Sequence, residues 1–134
     1  MGYGDVSVKK SLHFTLLQAD YVNPDLLTVH GDLPEMFRSF LSRIWPDFSL
    51  EVFTVYKDEF PNTDHKTDCF IISGSRCSVN DSSQWIRNLE EFIIAGYKKH
   101  KFLGICFGHQ ILAKSLGSDI ARVRLFCNDR RIFK

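Results

Sequence analysis

Cys106 stands midway between two glycines in Gly104-Ile105-Cys106-Phe107-Gly108, and His109 and Gln110 follow directly. A thiolate is the attacking species in covalent catalysis, so a cysteine set in a specialised turn is a candidate nucleophile. The residues before it, Phe102 to Ile105, form an apolar run short enough for a buried strand. Those after it, 111–116, have helical spacing and stop at Gly117, a good C-terminal cap. Strand, glycine-flanked cysteine and helix together describe a nucleophile elbow, a sharp turn that lifts one side chain out of a sheet. Side chains at positions 104 and 108 would crowd the backbone of so tight a turn. The helix N-terminus at Cys106 favours thiolate over thiol, and the N–H of Phe107 points to where an oxyanion would form.

Such a turn needs a sheet beneath it, and the chain supplies one. Residues 12–17 are β-prone. A helix is expected from Pro34, capped by Asp32 and ended by Pro46, with Met36, Phe37, Phe40, Leu41 and Ile44 in one stripe. Residues 50–56 alternate as a second strand, and residues 68–72 form a near-continuous apolar strand of the kind buried on both faces. A small-residue turn follows at 73–76. Asp81 and Gln84 have the spacing of a capping box, opening a helix with Trp85, Ile86, Leu89, Phe92, Ile93 and Tyr97 on one face. Lys98, Lys99, His100 and Lys101 close it, where positive charge suits the helix dipole. The mostly alternating α/β order predicts a doubly wound, mostly parallel sheet, in which ligands bind beyond the carboxyl ends of the strands. Both the 73–75 turn and Cys106 fall at such ends.

Composition narrows the function classes. A chain of 134 residues is one domain. Its formal net charge of +1 favours neither nucleic acid nor an anionic membrane surface. No apolar run approaches a membrane span, and the polar start does not read as a signal peptide. Cys69, Cys77, Cys106 and Cys127 show neither Cys-x-x-Cys pairing nor metal-like spacing with histidine, so no metal or cofactor is expected and a reducing cytoplasm is the simplest setting. The basic residues Arg122, Arg124, Arg130, Arg131 and Lys134 read as a solvated tail.

The string Gly104-Ile105-Cys106-Phe107-Gly108-His109-Gln110 resembles the nucleophile motif of class I glutamine amidotransferases. The 71–75 segment and Trp85-Ile86 lean toward the branch similar to the GMP synthase amidotransferase domain and the plant γ-glutamyl peptidases. The resemblance spans about residues 12–117. It implies a flavodoxin-like fold and a small-molecule substrate, glutamine or a γ-glutamyl peptide, attacked by Cys106 and passed through a thioester. It also implies a second oxyanion donor at Gly74, with Ser75 in place of the usual second glycine, and it puts Gln110 and Ser75 at the substrate. Whether a protein partner takes part stays open.

The family's catalytic histidine and glutamate come from a His-x-Glu segment well after the nucleophile. No histidine follows His109 in this sequence, and no glutamate follows Glu91. His109, in the first helical turn, reads as a packing residue, and His13, His30, His65 and His100 read as strand, loop or surface residues. The expected organisation is a loose leader (1–10), the N-terminal part of an amidotransferase-like domain (11–118) and a divergent basic tail (119–134), with the C-terminal strands missing through truncation, splicing or a partial gene model. Three functions stay open: a γ-glutamyl amide hydrolase impaired by the absent base, a non-catalytic binding module or fragment, and a redox-sensing cysteine protein.

Overall fold

A computed structural model of the chain describes residues 11–21, 31–62 and 64–117. The leader at 1–10, the tail at 119–134, His30 and Cys127 lie outside the described residues. The chain runs β1 (Leu12–Gln18), α1 (Leu33–Ile44), β2 (Phe48–Thr54), a 3-10 turn (Val55–Lys57), β3 (Cys69–Ile72), α2 (Gln84–Gly96), β4 (Phe102–Gly104) and α3 (Phe107–Leu116). All strand pairs are parallel, and the order across the sheet is β2-β1-β3-β4. This is the flavodoxin-like arrangement, with the direction of winding reversing between β1 and β3.

The apolar runs of β1 and β3 are explained by the two layers they serve. Side chains alternate between sheet faces, so Leu16 and Ile71 join Leu41 and Leu50 on one side. Leu17, Phe70 and Ile72 join Ile86, Leu89, Phe92, Ile93, Phe107, Ile111 and Leu112 on the other. Among the described residues the second layer has two helices, α2 and α3, and the first has α1. That asymmetry corrects the expected α1 stripe. Leu41 is buried, but Met36, Phe40 and Ile44 are 44%, 56% and 53% exposed.

Local boundaries also differ from the sequence pattern. β2 starts earlier and stops at Thr54 because the chain winds into the 3-10 turn, closed by Asp58 at φ 66°. The capping box at Asp81 and Gln84 does not form. The Asp81 carboxylate instead accepts the Ser78 N–H (3.0 Å), the Gln84 amide bonds along the helix to Asn88 Oδ1 (3.0 Å), and Ser83 is the N-cap. At α1 the expected cap is present: the Glu35 carboxylate reaches back to the Asp32 N–H (2.8 Å).

Candidate active site

The β4–α3 turn has the backbone of a strained elbow. Cys106 is the N-cap of α3 at φ 53°, ψ −107°, a conformation that costs a residue with a side chain free energy and concentrates at functional sites. Gly104 and Gly108 make the turn possible. A Cβ on Gly104 would lie 2.4 Å from the carbonyl carbon of Gly108, and one on Gly108 would lie 2.3 Å from the Ile72 carbonyl oxygen. Both neighbours are backbone and cannot step aside. The turn is closed by Gly108 N–H to Ile105 C=O (2.9 Å) and Gln110 N–H to Cys106 C=O (3.0 Å).

Cys106 is exposed, and Cys69 and Cys77 are also free thiols. Cys69 differs chemically: burial pushes its thiol up to about 11, leaving it protonated at neutral pH. Phe107 buries its ring against Trp85 of α2, with centroids 5.7 Å apart, which anchors the turn. As the first helical residue, its N–H has no intrahelical acceptor and remains available to a ligand.

The 73–76 turn lies beside the elbow. A Cβ placed on Gly74 would sit 3.9 Å from Cys106 Cβ and 3.8 Å from the Ile105 carbonyl oxygen, an ordinary contact. Gly74 therefore lies next to Cys106, while its backbone, unlike that of Gly104, is not crowded. Ser75 braces the turn by accepting the Cys77 N–H (3.1 Å), and with Gly74 it lines a cleft of about 290 Å³. Gln110 is exposed, one helical turn beyond Cys106. His109 is half-buried, and its Nε2 has no hydrogen-bond partner among the described residues.

Sequence spacing gave no sign of what holds the 73–76 turn in place. Ser73 is fully buried; its hydroxyl accepts the Ala19 N–H (2.8 Å) and donates to the Gly74 carbonyl (3.0 Å). Arg76 grips the Asp20 carboxylate through Nε and Nη2, both at 2.9 Å, and through its backbone N–H at 2.8 Å. The guanidinium also lies 4.8 Å from the centre of the Tyr21 ring. Burial pushes the Asp20 carboxyl up, but the hydrogen bonds from Arg76 and Tyr21 outweigh it and hold the group below its ordinary value. Asp20 and Arg76 are 56 positions apart, so only the β1–β3 pairing brings them together.

His13 and His65 stand at the amino ends of β1 and β3, whereas Cys106 follows the carboxyl end of β4. The strands are parallel, so these histidines lie at the opposite end of the sheet from the thiol. A four-residue strand spans roughly 13 Å, well beyond hydrogen-bond reach. Neither is positioned as the base for Cys106.

The structure thus sets a cysteine elbow at the carboxyl edge of a doubly wound parallel sheet. Sequence comparison is more specific. The profile of the glutamine amidotransferase class-I family matches residues 38–130, more than half of the chain. The chain belongs to that family. It is similar to a glutamine amidotransferase-like protein of Schizosaccharomyces pombe, 31% identical over 125 residues that cover 81% of this chain and 49% of the relative. It is also similar to gamma-glutamyl peptidase 2 of Arabidopsis thaliana, 32% identical over 121 residues covering 87% and 48%. A glutamine-hydrolysing GMP synthase of Bacteroides fragilis is 34% identical over 87 residues, covering 58% of this chain and 16% of the synthase. The chain thus spans about half the length of the first two relatives. No solved structure matches.

Proposed function

We propose that this chain carries the nucleophile and oxyanion half of a site that cleaves γ-glutamyl amide bonds, in glutamine or a γ-glutamyl peptide. The observation that carries this reading is the Cys106 elbow, with its positive φ and its two glycines packed against backbone. In this reading Cys106 Sγ attacks the γ-carbonyl, and the Phe107 and Gly74 N–H groups hold the oxyanion. The C–N bond then breaks, and the amine leaves with a proton. Water cleaves the thioester, releasing the γ-glutamyl group as a carboxylate and restoring the thiol. Ser75 and Gln110 would border the substrate, and the working setting is a reducing cytoplasm.

Both proton transfers call for a base, and neither a histidine after His109 nor a glutamate after Glu91 is present in these 134 residues to supply it. The 134-residue chain alone is therefore expected to turn over on the order of 10⁴-fold or more below an enzyme with a complete triad. A glutaminase and γ-glutamyl peptidase assay on the purified chain, beside its Cys106→Ala variant, tests this. Trace activity that vanishes in the variant fits; robust turnover that Cys106→Ala abolishes would show that a base is present after all.

The exposed side chains of Met36, Phe40 and Ile44 favour a second reading, a non-catalytic binding module. A well-behaved monomer on size exclusion that unfolds cooperatively would count against an exposed, unfinished structure.

A further inference from the structure

The fold draws together three metal-ligating side chains that lie far apart in the sequence and far from the elbow. His13 is in β1, Glu51 is in β2, and His65 is in the segment leading to β3. The register pairs His13 with Ser49 and Thr15 with Glu51, which brings His13 and Glu51 together across neighbouring strands. Glu51 Oε1 is 3.3 Å from His13 Nε2 and 3.1 Å from His65 Nε2, and the three groups' ligand atoms all lie within 4.8 Å of one another. In a tetrahedral zinc site with bonds of about 2.0–2.1 Å, ligand atoms are about 3.3 Å apart. Two of the three edges already have that length.

The surroundings favour metal binding as well. His13 Nδ1 is 2.7 Å from Ser49 Oγ; with Nδ1–H donating there, the Nε2 lone pair faces Glu51, the outer-shell arrangement that fixes a metal-binding tautomer. His65 Nε2 is buried and, despite its 3.1 Å approach, is not aligned as a hydrogen bond to Glu51. Its ring is held by Phe53, edge-on at 5.4 Å, and by Phe70 at 6.2 Å. Both histidines line a cleft of about 580 Å³, where Lys66 and Lys99 are offset by Asp64 and Asp68.

We propose that His13, Glu51 and His65 bind one borderline divalent cation, zinc foremost, leaving the fourth position open to the cleft. Two imidazoles and a carboxylate suit zinc, cobalt or nickel better than calcium or magnesium. The ion would clip β1, β2 and the β3 approach together at the end of the sheet away from Cys106.

Zinc-dependent thermal shift and cobalt(II) visible absorption, both on the purified chain, test the site. The expected result is a melting temperature that rises with zinc, and tetrahedral cobalt bands without thiolate charge transfer. Glu51→Gln and His65→Ala should each weaken binding by at least about tenfold, while Cys106→Ala leaves it unchanged. Circular dichroism of the metal-free variants checks that they fold, and Glu51, 45% exposed, tolerates the amide. Absence of micromolar binding would overturn the proposal. So would binding that survives both substitutions, or a thiolate band lost in Cys106→Ala.

Discussion

Three glycines near Cys106 serve different ends, and substitution separates them. At Gly104 and Gly108 an added methyl would meet backbone at 2.4 and 2.3 Å, so Gly104→Ala and Gly108→Ala are expected to destabilise by about 1–3 kcal/mol or more. At Gly74 the same methyl meets only ordinary contacts. Gly74→Ala should therefore fold with little change in melting temperature while crowding the space beside the thiol. Denaturant titration of the three variants checks this ranking, and a Gly74→Ala variant as unstable as the other two would contradict it. The cysteines divide in the same way. Cys69, with its thiol pushed up to about 11 by burial, should react with a neutral alkylating reagent at pH 7.5 far more slowly than exposed Cys106, as peptide mass mapping would read directly.

At the scale of elements, the Asp20–Arg76 pair fastens the 73–76 turn to the end of β1. Its pH dependence has a defined sign. The Asp20 carboxyl is held below its ordinary 3.8, so the stability it contributes is complete above 3.8 and lost only as pH falls through the lower, folded-state value. The melting-temperature gap between the wild type and Asp20→Asn should hold from neutral pH down to about 4 and close below that; a gap already closing at pH 6 would assign the effect elsewhere. α1 offers a second contrast. Leu41→Ala, in the core, is expected to cost about 2–5 kcal/mol, whereas Phe40→Ser, on an exposed face, should fall within about 0.5 kcal/mol of wild type. Chemical unfolding of both variants measures the difference.

At the scale of the molecule, the sheet was legible because β1 is rich in β-prone residues, β3 is apolar on both faces and α2 repeats its apolar residues at helical spacing. Cys106 was legible because an elbow compresses its demands into five consecutive positions. The remaining features depend on pairing across the sheet. Asp20 meets Arg76, and His13 meets Glu51 and His65, only once the parallel register is set, and no local spacing encodes that. The expectation that no metal binds rested on cysteine spacing and did not weigh His13 and His65, which α1 and β2 separate in the chain. The α1 stripe was correct in period, but its exposure depends on how many helices share that face, which the period of one helix does not carry.

In the proposed function the β4–α3 elbow presents Cys106 to a γ-glutamyl carbonyl. Intact-mass measurement after incubation with a chloroketone analogue of glutamine tests it without needing turnover or a base. The expected result is a single adduct per chain, mapped to Cys106, formed much faster than with a chloroketone lacking the γ-glutamyl group and slowed by excess glutamine. Labelling spread over Cys77 and Cys106, or equal rates with the two reagents, would contradict it.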